Sequence, residues 1–126
     1  MSVQVLKQFF ATKEQALEDI VKTSFWPTTF VSEASPPLDV HWHDTDIHGY
    51  VIEGHTWVLD AESGERLQVA EGDKLIIPAG TLHAEGETRE RVVYIVAVPD
   101  PRPVFEFLKM HAPDDPDRPG LETGER

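Results

Sequence analysis

The sequence predicts an all-β domain, a sandwich or barrel, led by one short N-terminal helix. Short runs rich in β-branched and aromatic residues recur from Trp26 to Val98, separated by Gly and Pro turns at intervals of roughly ten residues. Helical spacing of apolar residues is found near the N-terminus, before that series begins. The 126 residues suit one domain with a core of its own.

At the start, Val3, Val5, Leu6, Phe9 and Phe10 are too apolar for a solvated tail. They are expected to form a strand or arm that packs on the chain's own barrel or on a partner's. Thr12-Lys13-Glu14-Gln15 has the form of a capping box, a hydroxyl at the helix start with Gln three residues on. Ala16, Leu17, Ile20 and Val21 follow at helical spacing, so a helix is expected over about Lys13–Thr23. Trp26-Pro27 ends it, because proline disfavours a helical predecessor. Strands are expected at Thr28–Ser32, Leu38–His43, Tyr50–Glu53, Thr56–Asp60, Arg66–Val69, Leu75–Ile77 and Arg91–Val98. Ala61–Glu65 is a glycine-containing hairpin loop. Val104–Met110 suits one or two helical turns or a last strand, and His111–Arg126, rich in Pro, Asp, Glu and Gly, is expected to be frayed or disordered. The organisation is therefore an arm and helix over 1–24, a β-barrel over 25–110 and an acidic tail over 111–126.

Eleven basic residues stand against 23 acidic ones, a net charge of −12. Such a surface repels phosphate backbones and anionic membranes, so neither nucleic acid nor membrane is expected as a partner. The apolar runs are too short for a bilayer span. The absence of cysteine removes disulfides, thiolate nucleophiles and Cys-bearing zinc motifs. A soluble, cytoplasmic protein with a small-molecule partner is expected.

Five of the six histidines fall between positions 41 and 83. His41 and His43 form His-x-His in a strand pattern, where period two puts both imidazoles on one face and Trp42 on the other. Two imidazoles so placed can share a metal ion. Further on, Gly72, Pro78, Gly80 and His83 stand in the order Gly-x5-Pro-x-Gly-x2-His. Gly72 suits a chain reversal before a strand, Pro78 and Gly80 a tight turn at its end, and His83 then enters the next strand.

Together these residues resemble the cupin superfamily, whose motifs are Gly-x5-His-x-His-x(3,4)-Glu-x6-Gly and Gly-x5-Pro-x-Gly-x2-His-x3-Asn. The likeness covers about Leu38 to Val98. Gly72, Pro78, Gly80 and His83 match the second motif, with Glu87 in place of its Asn. His41, His43 and Gly54 match the first, with Ser35 in place of its opening glycine. The resemblance implies a double-stranded β-helix, a jelly-roll barrel of two facing antiparallel sheets. It also implies a homodimer and a divalent transition metal (Fe, Zn, Ni or Mn) held by His41, His43 and His83.

The chain departs from the pattern at the glutamate. The motif's position falls on Ile47 or His48. Strand parity turns Ile47, Gly49 and Val51 inward and His48, Tyr50 and Ile52 outward, and a one-residue bulge would bring His48 in as a fourth ligand. Asp44 and Asp46 are near enough to replace the lost carboxylate, although solvated loop acids is the simpler reading. Glu85 shares a face with His83 and suits a partner of the site or a general acid or base, with a solvated strand-end carboxylate as the favoured reading. Trp26, Trp42 and Trp57 are expected to pack in the core or at a dimer interface. His55 reads as a solvated turn residue, and His111 has no specific role expected.

The function these residues suggest is a metal-binding cupin acting as a metal-dependent, dioxygenase-like enzyme on a small organic substrate. The alternative is a non-catalytic small-molecule-binding protein with a structural or incidental metal. A site of three neutral histidines would leave high charge on the ion and favour an anionic or enolate-type substrate.

Overall fold

The computed structural model describes residues 2–118. Helix α1 covers Lys13–Thr23, as its end signals require. Thr12 Oγ1 accepts from the Gln15 N–H at 3.2 Å, and Gln15 Oε1 accepts from the Thr12 N–H at 3.2 Å, closing the capping box. Ser24, left-handed at φ 63, ends the helix. Ala16 and Ile20 form the buried face, packed on Tyr50 and Ala97 of the sheet beneath.

Eight strands form two antiparallel sheets. They are β1 Gln4–Leu6, β2 Trp26–Ser32, β3 Ile47–Glu53, β4 His55–Asp60, β5 Glu65–Ala70, β6 Lys74–Ile77, β7 His83–Glu85 and β8 Val92–Val98. The larger sheet runs β1-β6-β3-β8-β2 and the smaller β5-β4-β7. Strand β8 lies between β2 and β3, and its valines supply much of the core: Val92, Val96 and Val98 pack with Ile47, Val51, Val58, Val69 and Ile77. The apolar arm folds onto its own barrel, where β1 pairs with β6 and Val3 is buried.

The turn residues act as their positions suggest. Gly72 (φ 93) donates its N–H to Val51 O at 3.0 Å before β6, and Thr81 closes the Pro78–Gly80 turn through Pro78 O at 3.1 Å. The β4–β5 hairpin pairs Asp60 with Glu65 around Ala61–Gly64.

Two segments differ from expectation. Leu38–His43 does not form a strand: it makes single bridges, His41 to His83 and Trp42 to His111, and Leu38 donates its N–H to Glu85 O at 3.0 Å. The tail, expected to be frayed, is tied down as far as Arg118. Trp42 is buried, stacks on His111 at 4.3 Å and donates Nε1–H to Ala112 O at 2.8 Å. Arg118 donates to Gly80 O at 2.9 Å and to Glu62 at 3.0 Å. Composition marks this stretch as polar, but the face of Trp42 gives it something to pack on. Residues 119–126 lie outside the described residues. Val104–Phe107 forms one helical turn, α2.

Candidate metal centre

The bridge between His41 and His83 joins the His-x-His segment to β7, each N–H reaching the other's carbonyl at 2.9 and 3.0 Å. This backbone pairing places the imidazoles of His41, His43 and His83 together inside the barrel, all three buried. Their ring centroids stand 4.5–5.1 Å apart. Period two along β7 then carries Glu85 to the same place. One ligand atom from each of His41, His43, His83 and Glu85 lies within 4.8 Å of all the others.

The tautomers follow from the hydrogen bonds. His41 Nδ1 is 2.6 Å from Asp39 O, His43 Nδ1 is 2.9 Å from Lys109 O, and His83 Nδ1 is 2.8 Å from Thr81 O. A carbonyl only accepts, so each Nδ1 must carry the proton and donate. In the neutral rings each Nε2 therefore presents a lone pair. The Glu85 oxygens face two of these, at 3.2 Å from His41 Nε2 and 3.3 Å from His83 Nε2. Lone pairs opposed to a carboxylate at this range repel unless a cation stands between them. His83 Nε2 and Glu85 Oε2 are buried without a hydrogen-bond partner, which a metal ion would answer. Three imidazoles oriented by backbone carbonyls, with one carboxylate, fit Zn, Fe, Ni or Mn.

The electrostatics carry the same signature. Burial, then the charges of His83 and His41, push His43 down to about 4. Burial would also lower His41, but contact with Glu85 outweighs it and raises His41 above its ordinary value. Burial opposes ionisation of Glu85, yet His41 and His83 hold its carboxyl well below the usual carboxylate range.

His48 does not join the cluster. It points from β3 toward α1, where its ring stacks on Phe25 at 4.2 Å. Ile47 and Gly49, on the other face of β3, line the cavity instead. The register shift in β3 falls between Val51 and Glu53, after His48, so it does not reverse the parity. Asp44 pairs with Arg102 at 3.0 Å and Asp46 accepts from the Ala79 N–H at 2.8 Å, so neither replaces the missing glutamate. The candidate carboxylate is Glu85, which faces His41 and His83 and is not the solvated strand-end acid that the sequence favours. Its place two residues after His83 was the available signal. With Glu85 present, the premise of a neutral three-histidine site, and of its preference for an anionic substrate, no longer holds. His55 is exposed, whereas His111 serves Trp42.

The cluster borders a cavity of about 160 Å³, comparable to one that admits a benzene-sized molecule. Its walls include Phe30, Leu75, Ile77, Tyr94 and Val96, and Glu85 supplies their acidic group. Burial and the charge of Glu85 push the Tyr94 phenol up, so it stays protonated at neutral pH.

No protein-family model matches the sequence, and no curated protein matches it. Solved structures do resemble it. A DUF861 family protein from Thermotoga maritima shares 23% identity at a TM-score of 0.54, over 76% of this chain and 98% of that one. The polyketide cyclase RemF from Streptomyces resistomycificus shares 25% at 0.51, over 63% of this chain and 57% of its own. A cupin-2 domain containing protein from Shewanella frigidimarina shares 21% at 0.50, over 63% and 72%. The chain has the cupin fold. Among the described residues no helix is long and apolar enough to cross a membrane.

Proposed function

We propose that this chain is a metal-dependent enzyme acting on a small organic substrate held in the apolar cavity. The observation that carries the proposal is the convergence of His41, His43, His83 and Glu85, three of which, His41, His43 and Glu85, line that cavity. His41, His43, His83 and Glu85 would hold a divalent transition ion, which supplies Lewis acidity where a substrate oxygen can reach it. Ile47, Leu75, Ile77 and Val96 exclude water and bind the apolar part of the substrate. Tyr94 offers a phenol proton to the cavity. The likeness to a protein named a polyketide cyclase is consistent with an apolar organic substrate in such a barrel.

The reaction class we favour is dioxygenase-like: both atoms of O2 enter the substrate, so no separate reductant is consumed. Oxygen uptake by Fe(II)-loaded protein is expected with at least one of a diketone, a thiol or a catechol. No uptake with any of them would count against this form of the proposal.

The donor count supports a second reading. Four protein ligands close the shell of a tetrahedral ion, which suits a structural metal in a non-catalytic binding protein. Exchangeable water on the ion favours the enzyme, and a closed shell favours the binding protein.

A homodimer belongs to the proposal. Strand β2 is an edge of the larger sheet, with Trp26 54% and Val31 42% exposed, and a second copy would cover it. A monomeric mass by light scattering at micromolar concentration would overturn this part.

A further inference from the structure

Gly49 sits in the interior of β3 with its missing side chain directed into the cavity. Glycine weakens a strand relative to alanine, so one kept there calls for a reason. Among the described residues the other glycines have one. Gly54, Gly64, Gly72 and Gly80 take positive φ, and a Cβ on Gly86 would stand 2.2 Å from the Trp57 ring. Gly49 has neither. Its φ is not positive, and it pairs in register with Leu75 and Val96. A Cβ built on it would lie 3.7 Å from Leu75 Cβ and 3.9 Å from Tyr94 Cδ1, which is ordinary contact. Neither backbone nor packing demands the glycine, and what a side chain there would take away is cavity space.

We infer that Gly49 sets the size of the ligand this cavity accepts, and that the ligand's apolar end lies over Gly49 between Leu75 and Tyr94. This rests on the reading of the cavity as the substrate site. The ligand class is a molecule with a compact apolar group of about benzene size. A side chain at position 49 would fill that place, and the three atoms nearest its Cβ belong to Leu75 and Tyr94, not to the four candidate metal ligands.

The test uses toluene as an apolar probe that needs no metal. Binding is followed by amide chemical shifts in the native chain, Gly49→Ala and Gly49→Val, with unfolding midpoints and metal content measured alongside. The native chain is expected to bind toluene with shifts centred on Gly49, Leu75 and Tyr94. Gly49→Val should bind it about tenfold more weakly or worse, since overpacking costs that much. Gly49→Ala should weaken binding less and unfold at the native midpoint or about 2–4 °C above it. No toluene binding by the native chain, equal affinity in Gly49→Val, or a midpoint lowered in Gly49→Ala would each overturn the inference. Metal absent from all three proteins, with the toluene pattern intact, would sink the proposed enzyme and leave the role of Gly49 standing.

Discussion

Glu85 Oε2 lies 3.2 Å from His41 Nε2, a nitrogen whose ring partner Nδ1 is already committed to the carbonyl of Asp39. The contact holds together only with a positive charge between the two atoms, a proton on His41 or a metal ion shared by both. The carboxylate therefore does two things: it completes the donor set, and it raises the basicity of the histidine facing it.

Replacing Glu85 by Gln separates these effects. Glu85→Gln is expected to bind Zn(II) or Mn(II) at least about tenfold more weakly in competition with a chelator, the scale of a lost metal-site partner. In the metal-free protein the His41 imidazole should titrate at lower pH, read by NMR, because the charge that raises it is gone. Unchanged affinity would place Glu85 outside the metal site.

His83 lies on β7 within the cluster and His48 points from β3 away from it, which predicts opposite outcomes for the two histidines. His83→Ala should lose most of the bound metal, while His48→Ala should keep it and lose only the stack on Phe25, about 0.5–1.5 kcal/mol of stability. Equal metal loss in both variants would mean that His48 is a ligand.

Acid should destabilise the metal-free protein through His43. Its folded pKa of about 4 lies below the 6.5 of an unhindered imidazole. Between those values the unfolded chain binds the extra proton, so stability rises with pH across this window. It is fully present above 6.5 and lost as pH falls toward 4, a difference on the order of 3 kcal/mol. Glu85, lowered in the fold, adds a loss in more acid solution. His41 is raised, so its contribution is full below 6.5 and is lost only as pH rises above that value, outside the window set by His43. Unfolding midpoints from pH 4 to 7 should climb in the native chain and climb less in His43→Gln. Identical slopes would remove His43 as the cause.

Gly86 follows Glu85 and passes under Trp57, whose ring a Cβ would meet at 2.2 Å. Gly86→Ala should cost about 1–3 kcal/mol in denaturant unfolding, since ring or strand must move. A neutral substitution would show that Trp57 yields freely.

Much of this was legible in the sequence where a local rule suffices. Thr12 and Gln15 mark the start of α1 because a capping box needs only four residues. His41 and His43 share a face because strand period is local, and the same rule turned His48 outward correctly. Glu85 was harder. Parity puts it on the face of His83, but its approach to His41 depends on the bridge between two distant segments. The tail escaped for the same reason. Nothing in its own composition shows that Trp42, about seventy residues away, gives it a surface to pack on.

The central claim is a metal site made by His41, His43, His83 and Glu85. Elemental analysis of native protein and His83→Ala, both purified without added metal, tests it most directly. About one divalent transition metal per native chain and little in His83→Ala is the expected result. No metal in the native chain, or equal metal in the two proteins, would contradict the account.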